Sequence, residues 1–209
     1  MPAPAKPPAV IRLAVRGLRS PLAGPFDLDV AAGECVAISG PSGSGKSLLL
    51  RMIADLDPNT GDVSVNGAPR EDMTAPSWRR QAPYVAAESA WWTDRVAGHF
   101  PPDRLDAARQ LGARVGLGAE LFDAAVLRLS TGERQRLAIL RALVLDPPLL
   151  LLDEPTAPLD PEATRQVEIL LRERMRSGMA LVVATHDARQ AVRLGARRFR
   201  MRDRQMVAA

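Results

Sequence analysis

A glycine-rich octapeptide constrains the fold of this chain more than any other feature. It covers residues 40–47, with the sequence GPSGSGKS, and lies between an apolar run at Cys35–Ser39 and a second apolar run at Lys46–Asp55. Small residues allow several backbone N–H groups to converge on one anion, and the first turn of a following helix adds more. The segment therefore predicts a strand, an anion-binding loop and a buried helix, which form half of a parallel α/β unit.

The octapeptide matches the P-loop pattern of nucleotide-binding proteins. In that pattern the loop backbone surrounds the β-phosphate, Lys46 reaches the β- and γ-phosphates, and the Ser47 hydroxyl binds Mg²⁺. Lys46 is the only lysine after Lys6 in a chain that otherwise uses arginine for positive charge, which favours a specific role for its compact ammonium group. The predicted phosphate cradle consists of Gly40, Pro41, Ser42, Gly43, Ser44, Gly45, Lys46 and Ser47.

Two adjacent acids follow another apolar run, later in the chain. Asp153 and Glu154 follow Leu149–Leu152, which has the form of a Walker B strand. The carboxyl edge of a parallel sheet is where ligands bind, so Asp153 would hold Mg²⁺ through water and Glu154 would activate the attacking water. Adjacent acids can also cap a following helix, but the P-loop favours the nucleotide interpretation.

The order of apolar runs and turn residues predicts the remaining elements. Strands are expected at Ala9–Val15, Phe26–Val30, Cys35–Ser39, Leu149–Asp153 and Ala180–Thr185, with short antiparallel strands at Asp62–Asn66 and Pro83–Ala86. Helical spacing occurs at Lys46–Asp55, Arg104–Val115, Ala119–Leu127, Thr131–Leu145, Pro161–Arg176 and from Asp187 onward. Strands that alternate with helices predict an α/β fold with a mainly parallel sheet.

Strand signals are absent between residues 87 and 129, where helical spacing takes over. We therefore predict one domain over residues 9–209. It would combine a P-loop NTPase (RecA-like) core at about 9–86 and 130–209, an antiparallel β-subdomain, and a small helical subdomain inserted at about 87–129. The Pro/Ala-rich residues 1–8 are predicted to be disordered.

Composition narrows the class of protein further. The 209 residues, 46% of them hydrophobic, suit one domain with a sizeable core, and the apolar runs are far shorter than the roughly 20 residues of a membrane-spanning helix. The start lacks the apolar core of a secretory signal, and Cys35 is the only cysteine, so a cytoplasmic location is expected. We interpret the arginine-rich stretch Arg189–Arg204 as a solvated surface, and no nucleic-acid partner is expected.

A capping-box sequence, Ser130-Thr131-Gly132-Glu133, opens the predicted helix after Leu129. Taken alone, it only starts a helix. Together with Arg134-Gln135-Arg136, however, the segment resembles the signature motif of ABC (ATP-binding cassette) ATPases. A helix N-terminus with an exposed serine and glycine is a suitable anion site. Thr131 stands where that family has a glycine and Glu133 where it has a glutamine.

Two further segments resemble motifs of the same family in the same order along the chain. Thr156–Asp160 resembles the D-loop, with Pro158 as a departure, and Thr185-His186-Asp187 resembles the switch-histidine segment. The resemblance extends from about Val10 to Met201.

Membership of this family implies an ATP-hydrolysing subunit of an ABC transporter that binds ATP and Mg²⁺ and forms a homodimer or heterodimer of cassettes. Each ATP would lie between one subunit's P-loop and the other's signature residues, Ser130, Gly132 and Glu133, with Asp160 at the dimer interface. Glu154 and His186 would be the catalytic residues. The dimer would drive a separate membrane permease, so the chain would be peripheral on the inner face of the cell membrane.

Two alternatives stay open. A soluble ABC ATPase of DNA repair or translation usually has two cassettes or a long insertion between the P-loop and the signature, and the interval Gly40–Ser130 leaves room for neither. A regulatory cassette with weak hydrolysis would explain Ala87 and the absence of an aromatic ring for adenine, although Lys46, Asp153, Glu154 and His186 are intact.

Two residues that the family normally has are missing. Ala87 stands where the family has a glutamine that senses Mg²⁺ and the permease, and Glu88 is a candidate replacement. The family also has an aromatic ring that stacks on adenine, but none lies between Leu13 and Pro25; Arg19 is a candidate for stacking through its guanidinium plane.

Aromatic residues follow the altered Ala87 segment. Trp91 and Trp92 lie where the family contacts its permease, and at least one of them is predicted to anchor that interface. His99 lacks a motif context and is expected at the surface.

Overall fold

The computed structural model describes residues 10–209, so the predicted disordered segment 1–8 lies outside the described residues. The strands of the described chain are β1 (Ile11–Ser20), β2 (Ala23–Ala31), β3 (Cys35–Ser39), β4 (Thr60–Val65), β5 (Ala68–Pro69), β6 (Tyr84–Val85), β7 (Leu149–Asp153), β8 (Ala180–Ala184), β9 (Arg197–Arg202) and β10 (Gln205–Ala208). Its α-helices are α1 (Lys46–Ile53), α2 (Ala75–Gln81), α3 (Leu105–Arg114), α4 (Thr131–Leu143), α5 (Pro161–Arg176) and α6 (Ala188–Arg193).

The larger sheet has the strand order β10-β9-β3-β8-β7-β6, and every neighbouring pair except β9 and β10 is parallel. Its central strands are apolar because both faces are covered. Leu150 and Leu152 pack on one face with α4 and α5, while Leu149 and Leu151 pack on the other face with α1. The predicted α/β fold with a mainly parallel sheet is confirmed.

One predicted strand pairs in the opposite sense. The expectation of an antiparallel strand at Pro83–Ala86 is wrong, since β6 runs parallel to β7, with Tyr84 opposite Leu151. A two-residue strand contains no local signal for its direction. The direction is set by β7, which lies far along the chain.

The smaller sheet is antiparallel, with the order β2-β1-β4-β5. Its buried face includes Leu13, Val15 and Phe26, and this face packs in one core with Leu49 and Met52 of α1. The helix after the P-loop is therefore held between the two sheets.

The inserted segment contains fewer helical residues than its apolar spacing predicts. α3 forms as expected, but Ala119–Leu127 forms two 3₁₀ turns, Ala119–Asp123 and Val126–Arg128, in place of one helix. The Val126 N–H donates to the Asp94 carbonyl at 2.8 Å, so pairing with a distant segment replaces the helical hydrogen bonds. None of the helices within residues 10–209 has the length and apolar character needed to cross a bilayer.

Helix α2, the two-residue strand β5 and the hairpin β9–β10 are not predicted from the sequence pattern. α2 lies within a turn-rich stretch and is fixed by burial of Trp78, whose indole N–H donates to the Ile53 carbonyl at 2.8 Å. The hairpin β9–β10 turns at Asp203 and Arg204, which both have positive φ, and its first strand, β9, lies in the arginine-rich stretch interpreted as solvated surface.

Candidate nucleotide site

The P-loop connects the carboxyl end of β3 to the N-terminus of α1, and its glycines are required by shape. A Cβ atom at Gly40 would lie 2.5 Å from the Met201 carbonyl oxygen, so no larger residue fits. Gly45 adopts φ 105° immediately before α1, a conformation that glycine tolerates. No side chain caps α1, so the N–H groups of its first turn remain available to an anion.

The polar side chains of the loop fit a triphosphate. The Lys46 ammonium is buried and donates to the carbonyls of Gly40 at 2.9 Å and Pro41 at 3.1 Å, which holds it across the loop. The Ser44 hydroxyl is buried without a hydrogen-bond partner among the described residues, as expected of a group that awaits a ligand. The Ser47 side chain is exposed at the start of α1, where its hydroxyl could bind a cation.

Arg204 lies against the P-loop, a placement that the sequence pattern does not reveal. Its side chain comes within 3.8 Å of the position that a Cβ atom of Gly45 would take, and its guanidinium donates to the Leu22 carbonyl at 2.9 Å. Arg19, the candidate from the sequence, lines a separate open groove with Pro21 and Pro58. The turn of the β9–β10 hairpin thus places the stem of Arg204 beside the loop, with its guanidinium at the Leu22 carbonyl.

The ends of β7 and β8 bring the acids to the same edge of the sheet as the loop. Asp153 and Ile38 of β3 each lie opposite Ala184 of β8, so the three strands end at one level. Asp153 is buried and accepts a hydrogen bond of 2.9 Å from the Tyr84 hydroxyl. Burial, and secondly the charge of Asp153, raise the pKa of Tyr84, which therefore remains a neutral donor.

Glu154 and His186 contact each other directly. The Glu154 carboxylate accepts a hydrogen bond of 2.8 Å from His186 Nδ1 and a second, of 3.3 Å, from the His186 backbone N–H. Glu154 has φ 45°, an uncommon value for a residue with a side chain, and its N–H is held by the Ala184 carbonyl at 2.8 Å. With Nδ1–H donated to Glu154, Nε2 of this exposed imidazole points to no described partner, and it can donate to an anion when the ring carries both protons.

The predicted capping box forms at the start of α4. The Ser130 hydroxyl accepts from the Glu133 N–H at 3.2 Å, and the Glu133 carboxylate accepts from the Ser130 N–H at 2.8 Å and from its hydroxyl at 2.8 Å. These bonds, first from the backbone and then from the hydroxyl, lower the pKa of Glu133. An ionised carboxylate therefore lies at the N-terminus of α4, where a phosphate was expected to bind.

The segment between β7 and α5, residues 154–160, contacts the signature residues at one point and caps α5 at its end. A Cβ atom at Gly132 would lie 3.3 Å from the Pro158 carbonyl oxygen, so the two segments touch within one chain. Asp160 caps α5, since its carboxylate accepts from the Ala163 N–H at 2.8 Å. A cleft of about 660 Å³ opens beside Glu154 and His186, and no P-loop residue lines it.

The expectation that His99 lies at the surface is wrong. His99 is buried, and its Nε2 lies 2.9 Å from the backbone nitrogen of Trp92, which donates to it. Both tryptophan rings pack edge-on against His99, and Arg141 lies over both. Contacts with residues 91–93 bury this histidine, and no sequence motif predicts these contacts.

The Trp92 side chain stays exposed, so its role as an interface anchor remains a prediction.

Glu88 lies in an exposed bend just after β6, and no hydrogen bond or ion pair joins it to another described residue. Its proposed replacement of the missing glutamine stays a prediction.

The P-loop at the end of a central parallel strand, with acids at the ends of neighbouring strands, defines a P-loop nucleotide hydrolase. Comparison with known proteins identifies the family. Residues 24–157 match the family described as ABC transporter. The chain therefore belongs to the ABC transporter family, as an ATP-binding subunit that hydrolyses ATP.

Curated relatives span most of the chain. It is 39% identical over 216 aligned positions to the lipoprotein-releasing system ATP-binding protein LolD of Anaeromyxobacter dehalogenans, with 90% of each protein covered. It is 41% identical over 211 positions to the aliphatic sulfonates import ATP-binding protein SsuB 2 of Paracoccus denitrificans, covering 95% of this chain and 80% of that one.

The fold also matches a solved cassette structure. A dimeric post-hydrolysis state of an ATP-binding cassette, bound to ADP and Pi, has a TM-score of 0.80 at 23% identity, covering 94% of this chain and 98% of that one. The predicted P-loop ATPase fold of this family is thus confirmed.

Proposed function

We propose that the site described above hydrolyses ATP with Mg²⁺ by a direct attack of water. The triphosphate would occupy the loop 40–47, with Lys46 on the β- and γ-phosphates. The single observation that carries the proposal is the contact between Glu154 and His186 at the sheet edge where β3 also ends.

The residues fit Mg²⁺ as well as ATP. Mg²⁺ is usually held by one or two protein oxygens together with waters and substrate phosphates, and Ser47 and Asp153 offer such a pair. The bound ion would neutralise charge that develops on the phosphates. Tyr84, as a neutral donor, would keep the Asp153 carboxylate oriented toward it.

Glu154 would act as the general base. Its carboxylate would accept a proton from the attacking water, while His186, with both ring nitrogens protonated, would hold it through Nδ1–H and donate from Nε2–H to the γ-phosphate. The two side chains of this pair would therefore have different roles in the reaction. Glu154 receives the proton, and His186 stabilises charge on the phosphate.

A second copy or a related cassette would complete the site. The signature residues Ser130 and Gly132, at the N-terminus of α4, would contact the γ-phosphate held by the partner's P-loop. Glu133 would first have to release Ser130, because the two are hydrogen-bonded. Asp160 would act indirectly, by capping α5 beside this interface.

The subunit would act with a membrane component at the inner face of the cell membrane. LolD is named for lipoprotein release and SsuB 2 for sulfonate import, so relatives of similar identity serve different transport systems. We therefore propose transport coupling without assigning a cargo. Trp92 is the proposed anchor on the side facing this component.

The test is Mg²⁺-dependent ATP hydrolysis by the purified protein, measured as a function of protein concentration. If two cassettes form the site, the rate per subunit should rise with concentration, and removal of Mg²⁺ with EDTA should abolish it. Glu154→Gln, which keeps the shape but cannot accept the proton, should lower kcat by about 100-fold or more.

Lys46→Ala serves as the second variant, since it should weaken ATP binding itself. Normal turnover by Glu154→Gln would contradict the assignment of the base, and normal ATP affinity of Lys46→Ala would contradict the assignment of the cradle.

A further inference from the structure

Gln190 of α6 has a buried amide that packing does not explain. The side chain is fully buried, its Nε2 donates to the Thr156 hydroxyl at 2.8 Å, and its amide oxygen has no hydrogen-bond partner among the described residues. Burial of an amide oxygen without a hydrogen-bond partner costs free energy, and an apolar side chain of similar size would avoid that cost. The presence of glutamine here therefore points to the bond it makes with Thr156.

Thr156 and Gln190 belong to the two segments that carry the proposed base and its histidine. Thr156 lies two residues after Glu154, in the turns that follow β7, and α6 begins two residues after His186. The Glu154–His186 contact joins these segments once, at the site itself. The Gln190–Thr156 bond joins them a second time, with Thr156 half-buried in the wall of the same cleft.

α6 is a firm support for this second connection. Arg193, one turn after Gln190, forms a bidentate ion pair with the buried carboxylate of Glu168 on α5, at 2.7 and 2.8 Å. It also donates to Asp187 at 3.2 Å, and Asp187 caps α6 through the Arg189 N–H. The helix is thus fixed on α5 at its C-terminal end and capped at its N-terminal end, and Gln190 extends from it to a segment of irregular backbone.

We propose that Gln190 is a positioning residue for ATP hydrolysis: by holding Thr156, it keeps the strained backbone at Glu154 in the conformation that places the carboxylate against His186. The inference rests on the proposed function, because it needs Glu154 and His186 to be the reacting pair. Displacement of a reacting group by about 1 Å can cost on the order of 100-fold in rate. Removal of one of the two connections is expected to lower kcat by about tenfold.

The experiment compares variants of the purified subunit in ATP hydrolysis and thermal unfolding. Gln190→Leu should lower kcat about tenfold while leaving the KM for ATP unchanged, since Gln190 and the P-loop share no contact. Its Tm should be unchanged or higher, because the unpaired amide oxygen is removed. Thr156→Val should lower kcat to a similar extent, whereas Thr156→Ser, which keeps the hydroxyl, should retain the activity.

The matched control is Gln166→Leu on α5; among residues 10–209 the Gln166 amide bonds only to Glu162 of its own helix, at 3.0 Å, so its kcat should be unchanged. The double variant Gln190→Leu/Thr156→Val should be no slower than either single variant, because each substitution removes the same Gln190–Thr156 hydrogen bond.

Two results would overturn the inference. The first is normal kcat in a folded Gln190→Leu variant. The second, which applies if that variant fails to fold, is equal kcat for Thr156→Val and Thr156→Ser. Glu154→Gln measured in the same assay separates this failure from failure of the proposed function. If Glu154→Gln is inactive and Gln190→Leu is normal, the base assignment stands and only the positioning role is lost.

Discussion

At the scale of single residues, the carboxylate of Glu133 competes with the phosphate that α4 is expected to bind. Hydrogen bonds from Ser130 lower the pKa of Glu133, so it is ionised at neutral pH and places a negative charge at a helix N-terminus. A charge at such a position is worth up to about 1 kcal/mol, which corresponds to about fivefold in affinity. Glu133→Gln is therefore expected to lower the KM for ATP by up to about fivefold.

Steady-state kinetics at several protein concentrations would test this prediction. The control is Glu71→Gln, which removes an exposed acid near β5 and should leave KM unchanged. An unchanged or higher KM for Glu133→Gln would show that the carboxylate does not oppose ATP.

Arg204 offers the second test at residue scale. The stem of its side chain lies beside Gly45 of the P-loop and its guanidinium donates to the Leu22 carbonyl, and a planar cation close to the loop can stack on a base. Stacking of this kind at an exposed site is worth about 0.5–1 kcal/mol, so Arg204→Ala should weaken ATP binding by about threefold. Binding of tripolyphosphate, which has no base, should not change.

Calorimetric titration of both ligands into Arg204→Ala and Arg19→Ala would separate the two candidates. Loss of ATP affinity in Arg19→Ala alone would assign the base contact to Arg19 at the end of β1, and not to Arg204.

At the scale of elements, α6 depends on a buried charge. Glu168 is almost fully buried, with its carboxylate satisfied by Arg193, so Arg193→Met would leave a buried carboxylate without a partner. Because Arg193 is itself partly exposed, we expect a loss of about 2 kcal/mol in the free energy of unfolding, below the full cost for a deeply buried pair. Urea unfolding at pH 7 would measure it.

The double variant Glu168→Leu/Arg193→Met should recover much of that stability, since it removes the buried charge together with its partner. If the double variant is as unstable as Arg193→Met, packing by the arginine stem, and not its charge, supports α6.

Sequence reasoning succeeds for elements with strong local signals. β7 and α5 have the predicted bounds, because β7 is an uninterrupted apolar run and α5 starts with a capping aspartate followed by proline. It fails where distant contacts decide the outcome. The partner of β6, the bond from Val126 to Asp94 and the burial of His99 all depend on residues that sequence spacing does not connect.

The candidate site shows the same division. The cradle, Asp153, Glu154 and His186 are predicted from motifs, and the structure brings them to one edge of the sheet because each motif ends an apolar strand. Tyr84, Gln190 and Arg204 are not found, because no local pattern relates them to the loop or the acids. They reach the site only through the topology of the sheet and the packing of α6.

At the scale of the whole molecule, the central strands β3, β8 and β7 place the loop, the histidine and the acids side by side, while the capping box of α4 belongs to a different segment. If α4 binds the ATP of a second copy, nucleotide should determine the oligomeric state.

Slow hydrolysis should preserve the ATP-bound dimer, so Glu154→Gln is expected to be monomeric without nucleotide and dimeric with ATP and Mg²⁺. ADP should not produce the dimer, because the γ-phosphate that both subunits contact is missing. Light scattering after size-exclusion chromatography in buffers with each nucleotide would measure the mass, with Glu154→Gln/Lys46→Ala as the control that should stay monomeric. A Glu154→Gln variant that binds ATP and remains monomeric at high concentration would show that this chain pairs with a different cassette or requires its membrane component to dimerise.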